Sequence, residues 1–582
     1  MGIDWNKKEE RQKFWHSSSH IMAQAVKELF PGALTAIGPA IEEGFYYDFF
    51  VQRPFTNADL EIIEKKMFEI AEKKQKFEKK TVDKKKAFEL FKDNKFKTEL
   101  INEFEEEKAT LFSNGNFTDL CKGPHLENSA EIKAIKLLKT SAAYWRGNEK
   151  RETLQRVYGI SFPKKELLDD WLKARELAEQ RSHIKIGREQ DLFLISESVG
   201  SGLILWTPKG HIVREQLIQF LRKEQIKRGY KMVTTPHIGK IGLYKKSGHL
   251  EHYKEMMYSP MKVEDEEYIL KPMNCPHHIM IYADKRHSYR ELPLRIAEFG
   301  TVYRYEKSGE LFGLVRVRGF TQDDSHIFCT QEQLKQEFEN VIDVVLYIFG
   351  VLGFKQYRAR LGTRDNSEKF MGSKELWAQA QKDIEAAAKE KKVPYEIALG
   401  EAAFYGPKLD FLVKDTLGRE WQLGTIQVDY NLPERFDLNY IDSTDKKARP
   451  VMIHRAPFGS LERFIGILIE HFAGNFPLWL SPVQVKILTV ADRHNNYAEA
   501  LAKKMIEKEI RAETDARQET ISAKVRDAQL EKANYILVVG DKEEKDNTVT
   551  VRTRKGKVSA GVKAEAFIEQ ALKEISEQTL DN

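Results

Sequence analysis

The sequence has few cysteines and no long apolar run. Cys121, Cys275 and Cys329 are its only three cysteines; their odd number and wide spacing argue against a disulfide framework and predict a reducing, cytoplasmic location. The longest apolar run, VIDVVLYIFGVLGF, has about 14 residues and contains Asp343, so it is too short to span a bilayer. The start of the chain, MGIDWNKKEERQKFW, lacks the apolar segment of a secretion signal. We therefore predict neither export nor contact with a membrane.

The charge is nearly balanced, and the length excludes a single small domain. Lysine and arginine total 94 against 89 acids, so a polyanionic partner is permitted but not required. A chain of 582 residues is too long for one hydrophobic core, which predicts roughly three or four domains. Hydrophobic residues make up 41%, which is typical of a folded globular protein. The stretch EKKQKFEKKTVDKKK is basic enough to suggest nucleic acid, but a solvated helix face is the simpler interpretation.

Shifts in residue pattern divide the chain into four segments. Residues 1–163 contain short strand-like runs and charged helical runs. In residues 164–186 the apolar residues recur at helical spacing, which predicts a linker helix. Residues 187–478 hold glycine-bounded strands with the alternation of an antiparallel sheet. Residues 479–582 alternate strands such as YILVVG with helical runs, which predicts a separate α/β module. The predicted fold class is multidomain, with α+β and α/β parts.

The stretch KPMNCPHHIMIY places Cys275 beside His277 and His278. This cysteine is a small hydrophobe, a nucleophile or a metal ligand. Spacing alone does not decide among the three, because the sequence around it has no local zinc signature.

One predicted strand gathers polar side chains on a single face. In an extended chain every second residue points the same way, and LVRVRGFTQDDSHIF has functional side chains at alternate positions. A structural strand face would be apolar, so this pattern predicts the floor of a site. The residues on that face are Arg316, Arg318, Phe320, Gln322, Asp324 and His326.

Two further segments carry side chains suited to a nucleotide. RIAEFGTVYRYE places Arg304 and Glu306 on one strand face, and Arg316 follows the turn-prone KSGELFG. Two strands joined in this way can clamp a triphosphate through guanidinium contacts. In VMIHRAPFGSLERFIG, Ser460 is a natural N-cap for a helix with Arg463 in its first turn. An arginine there is disfavoured by the helix dipole, which indicates a nearby anion or nucleotide base.

These segments resemble the sequence motifs of class II aminoacyl-tRNA synthetases. KRGYKMVTTPHI is similar to their motif one, RYE with its loop to motif two, and GSLERF to motif three. KPMNCP, VRGFTQDDSHIF, AFYGPKLDF and VMIHRAPFGSLERFIG resemble the threonyl-tRNA synthetase family in particular, and the resemblance runs from about residue 10 to the C-terminus. It implies a class II antiparallel sheet core and ATP-dependent attachment of threonine to its tRNA.

The resemblance also implies one zinc ion per subunit. The family binds zinc through one cysteine and two histidines from separate segments, which carry over to Cys275, His326 and His454 and not to the two histidines beside the cysteine. Such a set leaves a coordination position open, as in reactive zinc sites. Asp324 is then expected to accept the hydroxyl proton of threonine.

Roles in binding ATP carry over residue by residue. Arg304 is expected to hold the carboxylate and the α-phosphate, and Glu306 the adenine amino group. Arg316 is expected at the γ-phosphate, with Mg²⁺ on the phosphates, while Phe320 and Arg463 sandwich the base. His249 is expected to assist the transfer step. The other substrate-facing positions are Gln322, Asp324, Tyr405, Lys408, Gln422, Thr425 and Ser460.

Near the N-terminus, HSSSH and CKGPH resemble the editing domain of the same family. The resemblance implies that His16, His20, Cys121 and His125 form a pocket that hydrolyses seryl-tRNA. Three imidazoles and a thiol could equally bind zinc, although the resemblance favours a positioned water without metal. In bacterial relatives a small ubiquitin-like domain usually precedes this one, and this chain is expected to start directly at the editing domain.

At the C-terminal end, VVGDKE and VTVRTRKGK resemble the anticodon-binding domain of class IIa synthetases. Glu543 and Arg552 stand at positions expected to contact the anticodon. Gln518 stands where the family typically has asparagine, so that contact is in question. Motif one, at residues 223–238, predicts a homodimer.

Two alternatives remain open from the sequence. One is a synthetase of the same class for serine or proline, against which the Cys-His-His set argues. The other is a tRNA-binding or free-standing editing protein with a decayed catalytic domain. The presence of Arg304, Glu306 and Arg463 argues against decay.

Overall fold

A computed structural model describes residues 3–367, 370–415 and 418–580. The chain forms two compact units, Met1–Glu176 and Leu177–Asn582. The point of division lies within helix α5, Lys165–Gln180. None of the helices in the described ranges has the length and apolar composition needed to cross a membrane.

The first unit consists of helices packed on two antiparallel sheets. Its four-stranded sheet has the order β1-β2-β7-β6 and its three-stranded sheet the order β3-β4-β5. Residues of α1 and α2 are buried against the larger sheet in one core. The helices are α1 Lys8–Leu29, α2 Asn57–Glu72, α3 Lys84–Leu90 and α4 Lys95–Asn102, and the strands are β1 Leu34–Thr35, β2 Phe45–Phe50, β3 Phe77–Asp83, β4 Lys108–Asn114, β5 Phe117–Leu120, β6 Ala134–Tyr144 and β7 Thr153–Phe162.

The basic stretch EKKQKFEKKTVDKKK is not the helix face that the sequence suggested. Its centre is strand β3, which pairs with β4 along its full length. Phe77 and Val82 pack on apolar clusters at the two ends of this strand, which favours an extended backbone over a helix. Most of its lysines are exposed.

Two helices occupy the predicted linker segment. They are α5, Lys165–Gln180, and α6, His183–Glu189. The division into compact units lies within α5, after Glu176. The domain boundaries predicted at residues 163, 186 and 478 stay predictions.

An eight-stranded sheet forms the centre of the second unit, in the order β10-β15-β16-β23-β20-β19-β17-β18. The pairs at its two ends are parallel and the others are antiparallel, as expected from the alternating pattern. The helices here are α7 Pro208–Lys227, α8 Ile241–Lys246, α9 His249–His252, α10 Cys275–Ala283, α11 Leu334–Val351, α12 Lys374–Glu390, α13 Asn431–Arg435 and α14 Leu461–Phe472. The strands are β8 Phe193–Ile195, β9 Ile204–Trp206, β10 Lys231–Met232, β11 Ile238–Lys240, β12 Met261–Val263, β13 Glu266–Leu270, β14 His287–Ser288, β15 Leu294–Tyr303, β16 Gly319–Cys329, β17 Tyr357–Thr363, β18 Tyr395–Leu399, β19 Lys408–Lys414, β20 Glu420–Asp429, β21 Tyr440–Ile441, β22 Lys447–Ala448 and β23 Val451–Ala456.

The strand predicted to begin at Leu314 begins at Gly319 instead. Residues 314–318 belong to a loop, in which the N–H groups of Val315 and Arg316 both donate to the carbonyl of Phe312. Arg316 and Arg318 therefore lie in a loop, and the single polar face extends only over the later residues of the predicted set.

The end of the chain forms an α/β module, as predicted. Its sheet has the order β25-β24-β26-β27-β28, in which the first three strands are parallel and the last two are antiparallel additions. The strands are β24 Val485–Thr489, β25 Ala512–Asp515, β26 Tyr535–Val539, β27 Thr548–Thr553 and β28 Val558–Lys563, and the helices are α15 Asn495–Glu507, α16 Ile521–Leu530, α17 Asp541–Asp546 and α18 Ala564–Glu577.

Candidate active site

Three side chains from distant segments meet beside the eight-stranded sheet. Cys275 begins α10, while His326 and His454 lie directly opposite each other on β16 and β23. The cysteine sulfur and one nitrogen of each histidine lie within 4.8 Å of one another, and all three residues are buried. His326 Nε2 and His454 Nδ1 are 3.0 Å apart. A thiol and two imidazoles converging on one point, with no fourth protein ligand among them, fit a zinc site with an open position.

The other nitrogens of the two histidines are held by buried partners. His454 Nε2 lies 3.0 Å from a carboxylate oxygen of Asp429. His326 Nδ1 lies 2.7 Å from His278 Nδ1, and His278 Nε2 lies 3.1 Å from Glu298 Oε1. These contacts orient both rings so that His326 Nε2 and His454 Nδ1 face the shared point, as outer partners of metal ligands do.

A cavity of about 510 Å³ opens beside these three residues. Asp324 projects into it, accepts a hydrogen bond of 3.1 Å from Asn274, and lies 3.8 Å from His326 Nε2. Burial raises the pKa of the Asp324 carboxyl. The predicted positions that line this cavity are Arg304, Gln322, Asp324, Tyr405, Lys408, Gln422 and Thr425, together with Cys275, His326 and His454.

A buried carboxylate organises the wall of the cavity formed by β19 and β20. Asp410 is fully buried, and its Oδ2 lies 2.7 Å from Lys408 Nζ. Thr425 donates a 2.9 Å hydrogen bond to the other oxygen, and Arg360 lies 3.7 Å away. The ring of Tyr405 stacks on a potential zinc ligand, His454, with centroids 5.0 Å apart. Lys408 is thereby fixed with its ammonium at the cavity.

The predicted nucleotide residues surround the loop that joins β15 and β16. The Arg304 guanidinium lies 5.0 Å above the ring of Phe320. Arg316 donates to Glu306 over 2.9 Å and to Glu310 over 2.6 Å. Burial, and then the charge of Arg316, lower the pKa of Arg463, and its buried Nε has no hydrogen-bond partner in the described part of the chain. Neighbouring cations with an unsatisfied donor favour an anionic ligand.

The start of α14 is bonded tightly to β16. Ser460 caps the helix by accepting a 3.2 Å hydrogen bond from the N–H of Arg463. The Asp323 carboxylate accepts from the backbone at residues 458–459 over 2.8 and 3.0 Å, and Glu462 accepts a backbone N–H of β16 over 2.8 Å. Burial raises the pKa of Asp323 to about 8. These bonds fix Arg463 relative to β16, the strand that carries the zinc-ligand candidate His326.

His249 lies at the edge of this region and is fully buried. Its Nδ1 is 2.7 Å from the hydroxyl of Ser247, and its Nε2 is 3.1 Å from the sulfur of Met273, a residue that lines the cavity. Burial lowers the pKa of His249 to about 3. The ring is therefore neutral and separated from the cavity by Met273.

In the first unit, the two histidines of α1 meet the CKGPH segment. Cys121 Sγ lies 3.3 Å from His16 Nε2 and 3.2 Å from His125 Nε2, and His20 completes a group of potential ligands within 4.8 Å of one another. A cavity of about 570 Å³ is lined by His16, His20 and Cys121. The arrangement has the nucleophilic and basic groups of a hydrolytic site and also the donor set of a metal site.

An ion pair missed by the sequence analysis lies at the same cavity. Lys97 Nζ and Asp119 Oδ1 are 2.6 Å apart and both side chains are buried. Tyr47 donates its hydroxyl to Asp119 and accepts a 3.2 Å hydrogen bond from Lys97. Asp119 belongs to the TDL segment just before CKGPH, which is part of the resemblance to the editing domain, whereas the sequence gives no signal for Lys97, which comes from α4.

The histidines of this cluster are held neutral. Burial lowers the pKa of His16, His20 and His125; neighbouring charges lower it further at His20 and His125, while Asp119 opposes the shift at His16 and His125. In the unfolded chain each of these histidines has a pKa of about 6.5. Below that pH the unfolded state binds more protons than the folded state, so stability is full above about 6.5 and falls as the pH decreases.

We therefore expect the first unit to unfold at progressively lower temperature between pH 6.5 and 5. Hydrogen–deuterium exchange of peptides from residues 3–163 over a series of temperatures at each pH, corrected for the intrinsic exchange rate at that pH, measures this. His125→Asn removes one titrating ring while keeping a donor toward the Ser17 hydroxyl, which lies 3.2 Å from His125 Nδ1. This variant should show a shallower pH dependence than the parent, and an unchanged dependence would contradict the assignment.

Two of the predicted anticodon residues, Gln518 and Glu543, lie at the carboxyl edge of the parallel strands in the last module, whereas Arg552 pairs with Ile536 near the amino end of β26. Gln518 follows β25 and donates a 3.0 Å hydrogen bond to Asp492, which follows β24. Glu543 caps α17 and accepts a 2.9 Å hydrogen bond from Thr550. Arg552 stands two positions further along β27, and its buried Nε has no hydrogen-bond partner among the described residues.

Comparison with known proteins decides the family. Curated relatives named threonine–tRNA ligase match nearly the whole chain: the protein of Flavobacterium psychrophilum is 52% identical over 579 residues, covering 98% of this chain and 89% of its own. That of Thermus thermophilus is 52% identical over 587 residues, with 98% and 89% covered. The chain belongs to the threonyl-tRNA synthetase family.

Domain profiles and a solved structure agree with this membership in the threonyl-tRNA synthetase family. "tRNA synthetase class II core domain (G, H, P, S and T)" matches residues 258–472, "Anticodon binding domain" matches 484–575, and "Threonyl and Alanyl tRNA synthetase second additional domain" matches 110–158. The crystal structure of the RNA-binding domain of a threonyl-tRNA synthetase from Cryptosporidium parvum is similar with a TM-score of 0.65 and 37% identity, over 68% of this chain and 98% of that one. The predicted resemblance and fold class are confirmed.

Proposed function

We propose that this protein is a threonine–tRNA ligase. It joins threonine to ATP with release of pyrophosphate, transfers threonine to its tRNA, and hydrolyses mischarged seryl-tRNA. The observation that carries this proposal is the convergence of Cys275, His326 and His454 beside a cavity that Arg304 also lines. Family membership at 52% identity over nearly the whole chain supports it.

The pocket would select threonine through its polar groups. Cys275, His326 and His454 would hold zinc, and the metal would offer open coordination to the amino group and the side-chain hydroxyl, which valine lacks. Asp324, 3.8 Å from His326, is placed to accept the hydroxyl proton. Lys408 remains near the substrate because the buried carboxylate of Asp410 holds it. Tyr405, Gln322, Gln422 and Thr425 complete the cavity wall.

The residues around the loop at 304–318 would bind ATP. Arg304 neutralises the carboxylate and the α-phosphate, Arg316 the γ-phosphate, and Glu306 accepts from the adenine amino group. Phe320 and Arg463 stack on the base, and Mg²⁺ on the phosphates offsets their remaining charge. Attack of the carboxylate on the α-phosphate needs no covalent enzyme intermediate, so positioning and charge neutralisation do most of the catalysis.

The remaining parts of the proposal concern the tRNA. His249 would assist transfer to the terminal adenosine, acting from its position behind Met273. Gln518, Glu543 and Arg552 would contact the anticodon. His16, His20, Cys121 and His125 would remove serine that has been attached in error, with a positioned water as the nucleophile. The three free thiols suit a reducing cytoplasm.

The decisive test is ATP–pyrophosphate exchange with threonine, valine and serine, measured alongside zinc content. We expect strong exchange with threonine, weaker exchange with serine and very little with valine, at one zinc per subunit. Exchange that prefers proline or another amino acid would contradict the proposal.

We expect His278 to matter although it is not a ligand. His278→Ala removes the partner of His326 Nδ1, and loss of such a partner lowers metal affinity by about 10–100-fold. Zinc content after dialysis against a chelator, and the absorption of a cobalt-substituted protein, measure the effect. His277→Ala is the matched control, because the ring of this neighbour packs against Tyr244 and, within the described residues, belongs to neither group of potential ligands. An equal loss in both variants would contradict the assignment.

We also expect a homodimer formed through residues 223–238, which begin in α7 and end at β11. Sedimentation at the concentration used for activity should give twice the mass of the 67.6 kDa chain. A fully active monomer would rule this out.

A further inference from the structure

A buried histidine outside the described sites links three segments of the second unit. His183, the first residue of α6, is 0% exposed. The backbone N–H of Leu314 donates to its Nε2 over 3.1 Å, and its Nδ1 lies 2.7 Å from Glu470 Oε1. Because an amide N–H can only donate, Nε2 is the acceptor and Nδ1 carries the proton. The ring is thus a single neutral tautomer with both nitrogens bonded.

The surroundings are shaped to admit this ring. Gly313 has φ +48°, and a Cβ added there would lie 2.1 Å from His183 Nε2. At Gly466 on α14 an added Cβ would lie 3.6 Å from the same ring and 3.2 Å from Leu314. The missing side chains at these two glycines let the loop and the helix approach the imidazole from either side.

The two partners of His183 belong to the two halves of the proposed ATP site. Leu314 lies in the loop between β15 and β16, two residues before Arg316. Glu470 lies on α14, whose first turn carries Arg463. Within this loop Phe312 is 54% exposed, whereas Leu314 is completely buried in the main core of the second unit.

We propose that His183 is a positioning residue for ATP, which holds the loop of Arg316 at a fixed place relative to Arg463 on α14. The inference rests on the proposed function, because it takes these two arginines as the ligands of ATP. Loss of the bond to Leu314 leaves a buried N–H unpaired, which destabilises the present position of the loop. The zinc-ligand candidates and the cavity wall formed by β19 and β20 lie outside this loop and α14 and are not affected directly.

Two isosteric variants separate the two bonds of the ring. In His183→Asn the amide nitrogen takes the place of Nδ1 and keeps the donor to Glu470, but nothing remains to accept from Leu314. In His183→Gln the amide oxygen reaches the place of Nε2 and accepts from Leu314. We expect KM for ATP in pyrophosphate exchange to rise about tenfold or more in His183→Asn, and to recover most of the way in His183→Gln. KM for threonine should stay within about twofold in both.

Two further measurements keep the test independent of folding defects. Hydrogen–deuterium exchange of a peptide spanning residues 312–318 should become faster in His183→Asn and stay slow in His183→Gln. Gly313→Ala forces the loop away from an intact His183 and should raise KM for ATP in the same way.

The outcomes are distinguishable. Wild-type KM for ATP and slow exchange at residues 312–318 in His183→Asn would overturn the inference, and so would an equal loss of threonine and ATP binding in all three variants. A parent protein without any threonine-dependent exchange of pyrophosphate would contradict the proposed function, and the inference with it.

Discussion

Cys275→Ser is expected to abolish zinc binding and threonine activation together. Serine cannot replace the thiolate as a zinc ligand at neutral pH. The site would then lose the interaction that distinguishes a hydroxyl from a methyl group, which elsewhere amounts to roughly 10⁴-fold. We expect kcat/KM for threonine in pyrophosphate exchange to fall by about 10³-fold or more, and the preference over valine to disappear. Metal analysis of the same preparation gives the zinc content.

Cys329→Ser is the matched control for this change. Cys329 is equally buried and ends β16, but it packs in the apolar core and belongs to neither cluster of potential ligands. Its replacement should leave zinc content and the KM for threonine unchanged, apart from a loss of stability. Full threonine activation by a zinc-free Cys275→Ser protein would disprove the role of the metal.

The double variant His16→Ala, Cys121→Ala is expected to accumulate seryl-tRNA. Serine offers the same amino group and hydroxyl as threonine and lacks only one methyl group, which is worth about 1–3 kcal/mol or some 10–200-fold. Aminoacyl-tRNA synthetases are the general example of this limit on discrimination. They are also the general example of its remedy, a second site that hydrolyses the wrong product. We expect hydrolysis of added seryl-tRNA to fall by about 10²-fold or more, since acid–base groups contribute effects of that size.

The two sets of variants should affect opposite activities. The double variant should keep threonine-dependent exchange, and Cys275→Ser should keep hydrolysis of seryl-tRNA. Zinc content unchanged at one per subunit in the double variant favours hydrolysis by water, whereas loss of a second zinc would show a metal at the N-terminal cluster. Clearance of seryl-tRNA at the parent rate would mean that the first unit has been misassigned.

Strand alternation was sufficient to place one wall of the site. Phe320, Gln322, Asp324 and His326 were expected on one face, and all lie on β16. The same pattern wrongly included Arg316 and Arg318. Alternation between polar and apolar residues does not reveal where a strand begins, and here a turn closed by the carbonyl of Phe312 precedes it.

The zinc-ligand candidates could not be derived from spacing, and only the family resemblance grouped them. Their grouping depends on the pairing of β16 with β23, which is a property of the folded sheet. The buried partners were missed for a related reason. His278, Asp410 and Lys97 act through contacts with residues far away in the sequence, and charged or polar residues at such positions look like ordinary surface residues in a sequence.

The register of β16 against β23 makes the site sensitive to the length of the chain as well as to its composition. His326 and His454 are 128 positions apart and yet are direct cross-strand partners. One residue inserted within either strand would turn an imidazole to the opposite face of the sheet, while an insertion in the exposed turn at residues 443–446 leaves the pairing intact. In an insertional scan, the positions at which one inserted alanine abolishes activity should therefore mark the two strands behind the site more sharply than substitutions do.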